Sequence, residues 1–357
     1  MDRYRIGIVG CGEVTQIVHL PSIAQLPGQF TVTALCDVSR QVLDAVGDRW
    51  QVQNRFTDYR DLAASPEVDA VLIANPNAYH APVTLAALEA GKHVLVEKPM
   101  CINLREADEI IAAQKRSGKC VQVGYMRRYA PAFTEAVRQV QELGGVRLAR
   151  VHDVIGQNAL IIRATSNVMR GGDTPAEAVE DNRRMTEALM REAIGDAPPD
   201  VRSAYGLLLG LSSHDISAMR ELLGRPKGVL YAAQRMGGRY ITAAFDYGDF
   251  ICQFETGVDN IPRYDTTLEV YGADRVLRVQ YDTPYVLNLP IRLHVTEANS
   301  TGGVDERAVN PTWGDAFLNE WKAFYEAIIG KCEPKTSPED FRQDLEIFLE
   351  MVEKMKA

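Results

Sequence analysis

Arg5-Ile6-Gly7-Ile8-Val9-Gly10-Cys11-Gly12-Glu13-Val14-Thr15 is an apolar run that ends in Gly10, turns through Gly12 and enters helix-compatible sequence. Strand, tight turn and helix start in that order leave the first helical N–H groups and the positive dipole end facing a bound pyrophosphate. Roughly twenty residues on, Thr33-Ala34-Leu35-Cys36-Asp37 reads as a second strand closed by an acid, where a carboxylate accepts both ribose hydroxyls of an adenosine. The turn residues Gly10, Cys11, Gly12, Glu13 and Val14, with Asp37, are therefore the expected core of a dinucleotide site. A carboxylate repels a 2′-phosphate, so NAD is the expected cofactor. Arg40, three residues after the acid, keeps NADP as the alternative. The third turn position is Thr15 rather than Gly or Ala, which leaves less room where helix meets strand.

At 357 residues the chain is long for one core, and two domains are expected. The formal net charge of −9 argues against a nucleic-acid or anionic membrane surface as partner. No apolar run reaches the length of a bilayer-crossing helix, and no charged, apolar and cleavable leader precedes the first strand, so secretion is not expected. Cys11, Cys36, Cys101, Cys120, Cys252 and Cys332 are scattered with no C-x-x-C pair, the usage of a cytoplasmic protein with free thiols. No histidines stand at metal-ligand spacing with carboxylates, and no metal is expected.

Up to residue 124 strand-like and helical stretches alternate, with apolar runs near 5–10, 31–36, 69–74, 93–97 and 119–123. Val68–Ala74 is apolar almost throughout, as suits a parallel strand covered on both faces. Ser39 and Asn103 stand before helical patterns, and Gly91 and Gly118 after them. The reading is an α/β chain: an N-terminal Rossmann dinucleotide-binding domain over 1–124, then a C-terminal α+β domain over 125–357. Residues 227–297 alternate strand composition with short turns, which favours an open, mostly antiparallel sheet. The polar stretch 167–201 is expected to be a surface insertion or lid.

Further polar stretches follow the later strands: Ala74-Asn75-Pro76-Asn77-Ala78-Tyr79-His80, Val96-Glu97-Lys98-Pro99 and Gly124-Tyr125-Met126-Arg127-Arg128-Tyr129-Ala130-Pro131. In an open parallel sheet ligands bind at the carboxyl ends of the strands, where all of these fall. Lys98, followed by Pro99, can hold an ammonium over that crevice and donate to a substrate hydroxyl. Glu97 orients Lys98, bonds the nicotinamide ribose, or forms a salt bridge elsewhere.

With the glycine loop, Ile17-Val18-His19-Leu20-Pro21 and the downstream Ser213-His214-Asp215, these stretches resemble the Gfo/Idh/MocA oxidoreductases. The resemblance implies that Lys98 and His214 are the catalytic residues, His214 as general acid/base. It places Asn75, Pro76, His80, Glu97 and Lys98 with the cofactor loop and Arg40, and Tyr125, Arg127 and Arg128 at the substrate, with a structural role the alternative for His80 and an interdomain salt bridge the alternative for Arg128. Asn158 and Tyr264 are candidates for the pocket wall, and His19 is expected to pack near the cofactor. The substrate implied is a sugar, cyclitol or related polyol, and the assembly a homo-oligomer, dimer or tetramer.

The chain departs from the family on both sides of His214, and the acid often found three residues after it is Ser217 here. Sugar and cyclitol dehydrogenases usually carry Asp one turn before the histidine, where this chain has Gly210. Asp153 or Asp215 is the candidate replacement, although helical spacing turns Asp215 away from the His214 face. The departure keeps two alternatives beside the dehydrogenase: a dinucleotide-binding regulatory or scaffold protein, and an enzyme that cleaves glycosides through transient oxidation.

Overall fold

The computed structural model describes residues 3–356. They form two compact units, the first from the described residues up to Tyr125 with Ser166–Gly195 and Glu320–Leu345, the second from Met126–Thr165, Asp196–Asn319 and the described residues from Glu346 on. A single boundary near residue 124 marks the first crossing and misses the re-entries. The segment expected as a lid packs, up to Gly195, as part of the first unit.

The first unit holds β1 (Tyr4–Val9), β2 (Phe30–Cys36), β3 (Asn54–Phe56), β4 (Ala70–Ile73), β5 (His93–Glu97) and β6 (Val121–Gly124), all parallel in the order β3-β2-β1-β4-β5-β6. That order reverses between β1 and β4, which opens a crevice at their carboxyl ends. β4 is buried at every residue, as its unbroken apolar sequence requires of a strand with helices on both faces. The helices are α1 (Leu20–Ala24), α2 (Arg40–Trp50), α3 (Tyr59–Ala64), α4 (His80–Glu89) and α5 (Leu104–Ser117). Ser39 caps α2 by accepting the Val42 N–H, and Asn103 caps α5 by accepting that of Glu106. α5 ends where Gly118 takes a φ of +64°. A wide π turn, Thr15–His19, lies between the glycine loop and α1.

The second unit opens with a 3₁₀ turn, Met126–Tyr129, and α6 (Pro131–Gln141). Its sheet comprises β7 (Leu148–Gly156), β8 (Gly228–Arg235), β9 (Tyr240–Asp246), β10 (Ile251–Asp259), β11 (Tyr264–Tyr271), β12 (Arg275–Tyr281), β13 (Arg292–Ala298) and β14 (Val304–Val309). The order is β14-β13-β12-β11-β7-β10-β9-β8, antiparallel except for the parallel β7–β10 pair. α7 (Asn158–Thr165), α8 (Ala176–Ile194), α9 (Pro199–Leu207) and α10 (Ser213–Leu223) follow β7 in sequence, α8 returning to the first unit. A second π turn, Leu208–Ser212, joins α9 to α10. α11 (Ala316–Ile328) and α12 (Pro338–Lys356) close the chain.

One face of this sheet buries Ala149, Val151, Asp153 and Ile155 of β7. The other carries partly exposed ion pairs, among them Arg150–Glu255, His152–Glu255 and Arg278–Glu269. No helix among the described residues is long and apolar enough to cross a membrane.

Candidate functional site

In the first unit the glycine loop closes tightly on the end of β4. Gly10 has a φ of +94°, and a Cβ there would lie 2.5 Å from the Ala74 carbonyl oxygen, so only glycine fits. A Cβ on Gly12 would meet nothing within 4 Å, so the space over the loop is open. Thr15 turns its hydroxyl back to the Gly10 carbonyl at 2.6 Å. The side chain that narrows the helix–strand contact thus satisfies a backbone acceptor of the loop. Asp37 is half-buried; its Oδ2 accepts the Cys11 N–H and its Oδ1 the Ser39 N–H, both at 2.9 Å. Those bonds fix the carboxylate beside the loop. Asn75 adds a buried Oδ1 that has no hydrogen-bond partner among the described residues. An open glycine turn, a fixed acid and an orphaned acceptor at adjoining strand ends fit a dinucleotide.

His80 has a place in the frame. His80 is buried, its Nδ1 2.7 Å from the Pro99 carbonyl and its Nε2 2.8 Å from the Asn75 carbonyl, so it braces the loops after β4 and β5. Glu13 pairs with Arg170, and Arg40 is exposed at the first position of α2.

Lys98 is partly exposed directly after β5, at the strand's carboxyl end. Behind it runs a chain of hydrogen bonds. The Trp321 indole N–H donates to His19 Nδ1 at 3.1 Å, which makes that nitrogen an acceptor and leaves Nε2–H to donate to Glu97 at 2.9 Å. Glu97 also accepts the Lys98 backbone N–H at 3.1 Å. Burial opposes the Glu97 charge, yet the His19 bond and the Lys98 charge outweigh it and hold the carboxyl below its ordinary range. A fixed, ionised Glu97 anchors the main chain that presents Lys98. Trp321 enters from α11, and nothing in its local sequence signals this contact.

Tyr125 does not offer its hydroxyl to a ligand. It donates to Asp344 Oδ2 at 2.7 Å, and its ring stacks on Phe341 in the core.

In the second unit Arg127, Asp153 and Asp215 meet in one buried cluster. Arg127 Nη1 bonds Asp153 Oδ2 at 3.1 Å and also pairs with Asp215, and its guanidinium lies 5.2 Å from the Tyr281 ring centre. Arg127 also donates to the Tyr264 hydroxyl, and Thr266, opposite Asp153 in the β7–β11 register, donates to Asp153 Oδ1 at 2.6 Å. One cation faces two carboxylates. Burial and then Asp153 push the Asp215 carboxyl well above its ordinary range despite Arg127, which favours its protonated form. Asp215 Oδ2 is buried without a hydrogen-bond partner among the described residues. Arg127 Nε and the Tyr281 hydroxyl are buried without partners among the described residues.

His214 precedes this cluster at the start of α10 and is 9% exposed. Arg128 pairs with Glu221 of α10, within the second unit. Asn158 starts α7 with its Oδ1 buried and without a partner among the described residues. A Cβ on Gly210 would meet nothing within 4 Å, so this position within the π turn faces open space. No group of His, Cys, Asp and Glu suited to a metal ion occurs among the described residues.

Residues 4–125 match a family described as an oxidoreductase family with an NAD-binding Rossmann fold. An uncharacterised oxidoreductase of Bacillus subtilis, YrbE, is 27% identical over 283 residues, 74% of this chain and 70% of that protein. An inositol 2-dehydrogenase/D-chiro-inositol 3-dehydrogenase of Lactiplantibacillus plantarum is 32% identical over 328 residues, 90% of this chain and 79% of that protein. An aldose-aldose oxidoreductase from Caulobacter crescentus, solved with glycerol, shares the fold with a TM-score of 0.75 at 19% identity, over 99% of this chain and 97% of that one.

Proposed function

From the premise that the chain belongs to the Gfo/Idh/MocA family of NAD(P)-dependent oxidoreductases, we propose that it transfers hydride between nicotinamide and a secondary alcohol of a sugar, cyclitol or related polyol. Lys98 and His214 are its catalytic pair, and the cytoplasm its place of work. Support comes chiefly from the near full-length likeness to a protein named as an inositol dehydrogenase, together with the anchored Lys98 at the end of β5.

Bound nicotinamide supplies the hydride acceptor at its C4. His214 takes the hydroxyl proton as the C–H bond breaks, since an imidazole titrates near neutrality. Lys98 donates to the same oxygen and stabilises the charge that develops there. Arg127 holds Asp153 and Asp215 and thereby fixes the start of α10, which carries His214.

The test is a panel of inositols and sugars with NAD and NADP, read by absorbance of the reduced cofactor. Lys98→Ala and His214→Ala should each lower kcat by about 100-fold or more, with NADH affinity within about threefold of wild type. Full activity in the double variant refutes the pair. Silence across the panel with NADH still bound favours the regulatory reading, to which Gly210 points. The ion-paired outer face of the second sheet is proposed as the surface a second copy covers, and light scattering that reports a monomer refutes this.

A further inference from the structure

The segment Ser166–Gly195 belongs to the first unit, and its opening turn lies on the N-terminus of α2. Gly171 approaches so closely that a Cβ there would come within 2.2 Å of Ser39 Oγ and 3.2 Å of Val42 Cγ2. The Gly172 N–H donates to Gln41 Oε1 at 3.0 Å, and Arg49 reaches the Asn167 carbonyl at 3.4 Å. Asp173 completes the contact: its carboxylate accepts the Ser39 hydroxyl and, at 3.0 Å, the Gln41 N–H. Two residues before Ser39, Asp37 holds the Ser39 N–H. Two carboxylates more than a hundred residues apart in sequence therefore converge on one helix start.

That position has a defined meaning in a dinucleotide fold. The acid after the second strand takes the ribose hydroxyls, and an added 2′-phosphate has to lie beside it, against the following helix start and a nearby arginine. Here the donors a phosphate needs, the Ser39 hydroxyl and the Gln41 N–H, already serve Asp173. Arg40, exposed, opens α2 between Ser39 and Gln41.

We propose that Asp173 is a specificity-determining residue that, together with Asp37, sets the protein for NAD(H) against NADP(H) by filling from the 166–195 segment the anion position of a 2′-phosphate. The inference rests on the reading that the glycine loop binds NAD(P). The Ser39 bond and the helix N–H groups hold the Asp173 carboxyl below its usual range, so the residue is charged at neutral pH. An incoming phosphate meets like charge from both acids and has to displace the segment's own hydrogen bonds.

Isothermal titration of the full chain with NADH and with NADPH tests this without turnover. Wild type should bind NADH at least about tenfold more tightly, equivalent to ~1.4 kcal/mol. Asp173→Asn keeps an oxygen for Ser39 and Gln41 and removes the charge. It should raise NADPH affinity by about tenfold and leave NADH affinity within about threefold. As a second reading that needs no variant, added salt should narrow the wild-type NADH/NADPH ratio by screening the repulsion. Wild type that prefers NADPH, or a ratio unmoved by both the substitution and salt, overturns the proposal. Wild type that binds neither cofactor brings down the cofactor reading itself, an outcome distinct from the other two.

Discussion

The sharpest physical consequence of the Arg127 cluster is a stability that falls with rising pH, removed by Asp215→Asn. Arg127, Asp153 and Asp215 are 2%, 0% and 0% exposed at their side chains, so water screens none of them. Burial and then the Asp153 charge raise the folded-state pKa of Asp215. In the unfolded chain the same carboxyl loses its proton near pH ~4. Above that pH the folded state therefore binds one proton more than the unfolded state, and each further pH unit costs about 1.4 kcal/mol of stability until the folded group itself ionises. Asparagine is close to the shape of the protonated acid and carries no such linkage. At about pH 5 the variant should lie within about 1 kcal/mol of wild type, the loss of one shared hydrogen bond. Towards about pH 7 it should gain on wild type, because only the wild type carries this linkage. Urea unfolding followed by far-UV circular dichroism at the two pH values measures the difference. Arg127→Leu sets the opposite bound: it strands a buried carboxylate and should lose about 3–5 kcal/mol at pH 7. Parallel wild-type and Asp215→Asn stabilities across the range would show that Asp215 is ionised and that the charge count of the cluster is wrong.

The two loop glycines should separate fold from binding. Gly10→Ala forces a side chain at a φ of +94° into the Ala74 carbonyl and should lose about 1–3 kcal/mol in urea unfolding, whereas Gly12→Ala, with nothing within 4 Å, should unfold like wild type. Gly12→Ala should nevertheless weaken NADH binding by about tenfold or more, because its methyl fills the space the pyrophosphate needs; unchanged binding in titration would remove that loop from the cofactor site. Gly210→Asp restores the acid of the family's sugar and cyclitol enzymes in open space. It should fold normally and raise kcat/KM for inositols over the wild-type value; an unchanged substrate profile would show that hydroxyls are held by other groups.

What the sequence made legible was whatever a few adjacent residues decide. Ser39 and Asn103 announce helix starts because a cap bond closes within three residues, and Gly10 announces its turn because a φ of +94° admits little else. β4 and β5 show as apolar runs, but β3 is three residues long, too short for any period to register. The site residues were legible by type and only in part by company. Lys98 and Asp37 stand at strand ends, where position alone brings them to a crevice. The partners that set their electrostatics come from far along the chain: Trp321 reaches His19, Asp173 reaches Ser39, and Arg127 gathers one acid from β7 and one from α10. No local pattern encodes such pairs, because burial of the whole element brings them together. The case of Gly210 shows how far a regular period can be pushed. Counting one turn back from His214 assumes an unbroken α-helix, but Leu208–Ser212 is a π turn, whose extra residue rotates what precedes it by about 100° relative to α10. The open space at residue 210 is therefore a property of the π turn as much as of the missing side chain. An acid placed there tests both at once: it acts on substrate only if the π turn aims residue 210 at the same hydroxyls that His214 serves.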